Sequence, residues 1–144
     1  MKKVFLALMG IMMSLCANAF EFDGIELNGN VVEVTRQISA KGYIYDDAKD
    51  CLKGICQGTE IYLSINYADV TEKNRIGQLI VDVPMPEKDA LNIVAKTFNV
   101  VYHQTAKTAD SYSYAVSTDG TSLIVSKTKD GIRLTYNTPY YKAK

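Results

Sequence analysis

The chain has no tryptophan, a single histidine and no surplus of either charge. Each shortage removes a class of function. A lone imidazole, His103, leaves zinc short of ligands, because a structural site takes four. Acyl transfer is served no better: it needs a nucleophile, a base and an oxyanion site, and no G-x-S-x-G stretch is present. His103 stands beside Tyr102 and reads as an ordinary strand residue. Glycine motifs that cradle phosphate are also missing, and the nine glycines fall mostly at helix ends, turns and hairpins. Asp46, Asp47 and Asp50 lack the D-x-D-x-D-G spacing of a calcium loop and read as a solvated acidic turn. The sequence therefore predicts no metal, no cofactor and no catalytic residues. With 16 basic residues against 16 acidic ones, it also carries no electrostatic footprint for nucleic acid or an anionic membrane.

Long apolar runs are scarce. Val4 to Leu15 is about a dozen residues, against the roughly 20 that cross a bilayer as a helix. Lys2 and Lys3 precede this run and Ala17-Asn18-Ala19 follows it, the layout of a secretory signal peptide cut after Ala19. That reading leaves one domain, 20–144, exported to the periplasm or the cell exterior. Two alternatives are an uncleaved anchor and lipid attachment at Cys16, where Leu15 stands in place of the small residue that lipidation prefers. Removing the two leader lysines leaves 14 basic residues against 16 acidic ones, while all ten tyrosines stay in the mature chain. A chain rich in Tyr, Val, Ile and Thr leans toward β structure.

Export also bears on the cysteines. Only Cys51 and Cys56, in the stretch CLKGIC, remain after cleavage, in a compartment where disulfides persist. Gly54 between them lets the chain turn back, so the pair is expected to form a disulfide staple. A redox pair lacks the C-x-x-C spacing and a following helix to lower a thiolate pKa. A metal site lacks its remaining ligands.

Periodicity predicts two helices and an antiparallel sheet. Asn30 caps a helix over 31–41, with Glu33 three residues on, an apolar stripe of Val34 and Ile38, and Gly42 as its stop. A short strand at 43–45 is followed by a polar connection that holds the cysteines. Strands at 60–68 and 75–83 come next, separated by a charged turn. Pro84-Met85-Pro86 ends the sheet, and Pro86 suits the first turn of a second helix reaching Phe98, with Asn99 as its stop. Strands are then expected at 100–104, 112–117, 122–127 and 132–137, with hairpins at Asp119-Gly120 and Asp130-Gly131. The pattern of "ISAKGYIYDD" echoes in "VAKTFNVVYHQ". The expected class is α+β: two helices packed on one face of an antiparallel sheet, built as a duplicated α-β-β-β unit.

The stretch FDGIELNGNVVEVTRQISAKGY resembles the opening of small secreted proteins of gut Bacteroidetes. The matching positions are Phe22, Gly24, Ile25, Leu27 and Gly29, then Lys41, Gly42 and Tyr43. That resemblance implies a fold similar to the β-lactamase-inhibitor-protein (BLIP-like) type, with helices backing a curved antiparallel sheet. It brings no catalytic residues.

The remaining signal is aromatic. If Ile44, Ile61, Leu63 and Ile65 pack under the helices, then Tyr43, Tyr45 and Tyr62 share the opposite, open face. Tyrosine gives large contact area with a polar tip, so this face is the expected surface for a protein or glycan partner. The expected function is a secreted, non-enzymatic binding module. Two alternatives remain open: a small carboxylate-dependent hydrolase, with or without calcium, and a structural envelope protein with no specific ligand.

Overall fold

The computed structural model describes residues 21–142 apart from 23, 28, 29, 57, 70, 71 and 119; the expected signal peptide lies outside the described residues. Two very short strands, β1 (Glu21–Phe22) and β2 (Ile25–Glu26), pair as a hairpin around Gly24, whose φ is +81°. Phe22, Ile25 and Leu27 are all buried in the core, which explains why these positions are apolar.

Helix α1 (Val31–Ala40) starts where Asn30 caps it, the side-chain oxygen accepting from the Glu33 amide at 2.7 Å. Val34 and Ile38 form its buried stripe, and Gly42 at φ +98° ends it as expected. Four strands follow in a meander: β3 (Ile44–Asp46), β4 (Cys51–Cys56), β5 (Thr59–Asp69) and β6 (Glu72–Pro84). Helix α2 (Ala90–Val101) then precedes four more: β7 (His103–Lys107), β8 (Ser111–Ala115), β9 (Ser122–Lys127) and β10 (Gly131–Asn137). All eight join one antiparallel sheet in the order β3-β4-β5-β6-β10-β9-β8-β7, so the two meanders meet at β6 and β10.

Registration across the sheet places Leu52, Leu63, Val81, Leu134, Val125 and Tyr112 in one row on one face. That face is the buried one. Helix α1 packs over β5 and β6, and α2 packs over β9 and β10. Phe98 of α2 lies 5.8 Å from the Tyr114 ring and 6.0 Å from the Tyr102 ring, measured between centroids. Five of the ten tyrosines (Tyr43, Tyr102, Tyr112, Tyr114 and Tyr136) are buried. In a chain without tryptophan, tyrosine supplies most of the core's aromatic volume. Among the described residues no helix is long and apolar enough to cross a membrane.

Two expectations change. Helix α2 starts three residues after Glu87 and runs to Val101, because Pro84 to Asp89 first crosses the sheet end. There the Met85 amide donates to the Asp130 carbonyl at 3.1 Å, and Met85 is buried. Strand β7 is displaced with it.

The cysteine staple is also not formed. Residues 51–56 make a full strand paired with β5 from Leu52↔Leu63 to Cys56↔Thr59. Five extended steps separate the Cα atoms by about 16 Å, beyond the roughly 4.4–6.8 Å a disulfide spans. Alternation adds to the mismatch: Cys56 faces the core, while Cys51 points to the open face. Gly54 makes no turn. It lies mid-strand under the Tyr43 ring, and a Cβ there would collide with that ring. We expect the protein to keep both thiols at full reduced mass, with half-buried Cys51 alkylated slowly in the native state and Cys56 only in denaturant. Intact-mass measurement before and after alkylation, without reductant, reads this directly, and the loss of two hydrogens would contradict it.

Candidate functional site

The helices leave one face of the sheet uncovered, and its side chains follow from strand alternation. Strands β5, β6 and β10 each send apolar residues toward the helices and, apart from Ile80, polar ones the other way. Register then aligns Lys53, Tyr62, Asp82, Arg133 and Ser126 in one row across β4, β5, β6, β10 and β9. Two residues along the strands, Ser64, Ile80, Thr135 and Ile124 form the next row. Asn66, Gln78, Asn137 and Ser122 form the third. The middle of the face is short side chains, and its margin toward β3 is charged.

Two hydrogen-bond networks hold these side chains in place. Arg133 donates to both Asp82 oxygens, Nε to Oδ1 at 2.7 Å and an Nη to Oδ2 at 3.0 Å, a bidentate pair. Asn66 donates to Gln78 at 2.7 Å, and Gln78 to Asn137 at 2.9 Å, an amide ladder running across three strands. Neighbouring β-branched and serine side chains have little rotamer freedom to lose on contact with a partner.

Beside Tyr62 lies a shallow depression of about 550 Å³, between Lys49, Cys51, Ser64, the Asp82–Arg133 pair and the turn at Thr128 to Gly131. Tyr62 donates to Glu60 at 2.7 Å, and the Lys49 ammonium sits 4.7 Å above its ring. The Glu60 hydrogen bond is the main reason the phenol is pushed up to about 12. Burial, then the carboxylates of Asp46 and Asp82, raises the Cys51 thiol, which favours its protonated, unreactive form. The carboxylates around this face have partners as well. Asp46 accepts from the Ala48 and Lys49 amides and lies 4.0 Å from the Lys53 ammonium, and Asp50 accepts from the Tyr45 hydroxyl. The acidic stretch is thus a hydrogen-bonded turn, and no group of metal-ligating side chains forms among the described residues.

No family model, no curated protein and no solved structure matches this chain. Any functional reading rests on the face itself.

Of the three tyrosines expected there, the structure brings only Tyr62 to the open face. Tyr43 is 3% exposed and belongs to the core. Tyr45 shares a row with Leu52 and Leu63 on the helix side, where it is exposed at the margin of the sheet. The parity of β3 is therefore the reverse of the expected one: Ile44, expected inside, is 62% exposed. The reason is Gly54, whose missing side chain opens a slot on the core side that the Tyr43 ring fills. Asp82, Arg133 and the amide ladder went unnoticed in the sequence. Their signal was present, since Val81-Asp82-Val83 and Ile132-Arg133-Leu134 both alternate across the same sheet.

Proposed function

We propose that this chain is an exported, non-enzymatic binding module that holds a protein or glycan partner against its open sheet face. One observation carries the reading: among the described residues both helices pack on the same side, and nothing covers the opposite face, which is ordered by cross-strand hydrogen bonds. The protonated thiol and phenol, and the paired carboxylates, fit recognition better than turnover. A protein partner suits the dimensions. Eight strands at about 4.8 Å spacing make a patch wide enough for the roughly 800 Å² per partner of a standard interface. Export rests on the leader residues Lys2 to Ala19. The expected α-β-β-β repeat has one strand too few: each helix is followed by four strands, and the two sets meet at β6 and β10, so a duplication is proposed here as a helix with four strands.

The test uses Tyr62→Ser combined with Arg133→Ser, both partly exposed, as bait for envelope and culture extracts of the native organism. Capture by the parent chain should fall at least tenfold in the double variant, while its circular dichroism stays unchanged. A third bait, Val32→Ser on the exposed side of α1, should capture as the parent does. Equal capture by all three would move the partner off this face.

A further inference from the structure

The chain is nearly balanced in charge, yet its cations are not spread evenly. Residues 20–144 carry 14 basic and 16 acidic side chains. Around the turn from Thr128 to Gly131 that balance is reversed. The depression beside Tyr62 lies on one side of this turn, and a second, of about 560 Å³, lies on the other and reaches α2. Met85, Pro86 and Leu91 supply the apolar wall of the second, and Lys88 and Lys127 are its cations. Lys129 lines both. With Lys49 and Arg133 included, five cations and three carboxylates (Asp82, Glu87 and Asp130) line the two depressions.

These cations are spare. None of the four lysine ammoniums enters an ion pair among the described residues. Arg133 uses two of its five N–H groups on Asp82, so the other three remain for a ligand. The turn between the depressions is held from three directions. The Thr128 amide donates to the Gly131 carbonyl at 2.9 Å, and the Gly131 amide donates to the Thr128 hydroxyl at 3.0 Å. The Met85 amide ties the Asp130 carbonyl to the end of β6. A Cβ at Gly131 would collide with the Val83 carbonyl, so glycine is what lets the turn sit this close. A partner docking against a turn held in this way has little left to order.

We infer that the two depressions form one anchor for an acidic segment of a protein partner, with a carboxylate held on each side of the turn. The inference rests on the open sheet face being the binding surface, and it names what the partner must carry. The free part of the Arg133 fork suits a carboxylate, while the lysines around it steer the approach of negative charge. Asp130 decides between kinds of anion. It lines both depressions, so a polymer charged at every repeat, such as polyphosphate, would set one of its charges against it. An acidic peptide alternates carboxylates with uncharged backbone N–H groups, and one of these can donate to Asp130.

The test titrates a capped octapeptide of alternating glutamate and glycine into the isotope-labelled exported chain and follows the backbone amide shifts. Shifts should grow at residues 127–131, Lys49 and Arg133, and a peptide of alternating glutamine and glycine should move none of them. Affinity should fall roughly threefold to tenfold between about 20 mM and about 200 mM salt. Lys127→Glu combined with Lys129→Glu, both at exposed positions, should weaken binding roughly tenfold while circular dichroism stays unchanged. Lys96→Glu, exposed on α2 and outside both depressions, should leave it as in the parent. Unmoved amides up to about 10 mM peptide overturn the anchor but not the sheet-face reading, which extract capture tests separately. Equal binding of the glutamine peptide, or tighter binding of polyphosphate through the same lysines, overturns it too. Peptide binding without capture from extracts keeps the anchor and removes the wider face.

Discussion

Tyr43→Ala is expected to unfold the protein, or to cost it about 3–5 kcal/mol, while Tyr62→Ser stays within about 1 kcal/mol of the parent. The two residues look equivalent in the sequence, as tyrosines in strand-like surroundings. Tyr43 fills the slot over Gly54 and is almost wholly buried, so its removal leaves a ring-sized cavity beside Gly54, which has no side chain to fill it. Total stabilities of small domains are about 5–15 kcal/mol, so the loss takes a large share. Tyr62 gives up one hydrogen bond and one cation–ring contact, both at the surface. Urea titrations of the two variants read the contrast. Similar losses would mean that the Tyr43 ring does not occupy the core.

The second large effect is alkaline. Tyr136 is fully buried and its phenol is pushed well above the ordinary value of 10, first by burial and then by Tyr102 and Cys56. Burial alone lifts Tyr102 to about 12, and burial with Tyr112 nearby lifts Tyr114 to about 12. A raised folded-state pKa means that the native state keeps the proton after the unfolded chain has released it. The stability is therefore fully present below about pH 10 and is lost as pH climbs from there through 12. For Tyr136 and Tyr102 the slope is about 1.4 kcal/mol each per pH unit, and Tyr114 adds in the same direction. Urea midpoints should hold steady from pH 7 to 9.5 and fall steeply beyond 10, with phenolate absorbance for these residues appearing only as the fold is lost. A Tyr136→Phe variant should soften the slope. An unchanged slope in that variant would place the alkaline transition elsewhere.

Much of this architecture is written in alternation and capping. Asn30, the Val34 and Ile38 stripe and Gly42 delimit α1 because cap, face and stop all agree locally. Strands β5 and β10 alternate cleanly, and β6 and β9 do so except at Ile80 and Ile124, so their inward residues were legible. Strand β4 was not. Its outward side chains are Cys51, Lys53 and Ile55, and its inward ones Leu52, Gly54 and Cys56, so neither face reads as apolar or polar. Its cysteines suggest a loop only until Gly54 is seen as a seat for Tyr43, a contact between positions eleven residues apart. The start of α2 is hidden for a related reason: Pro86 fits a first turn, but Met85 has to reach the core beforehand. The candidate site is spread over strands far apart in sequence. Asp82 and Arg133 are each readable as outward-facing, yet only the β6–β10 pairing makes them neighbours.

The amide row on the open face has a direction. Asn66 gives its hydrogen to Gln78 and Gln78 gives its own to Asn137, so turning Gln78 over would set like against like at both neighbours, and turning either end amide would do so at Gln78. The three therefore hold a single common sense, with a carbonyl left at the Asn66 end and an amino group at the Asn137 end. A bound molecule that crosses the row must offer a donor at the first and an acceptor at the second, and the reverse arrangement meets matching polarity twice. On the proposed function, these three side chains would admit a partner in one orientation only.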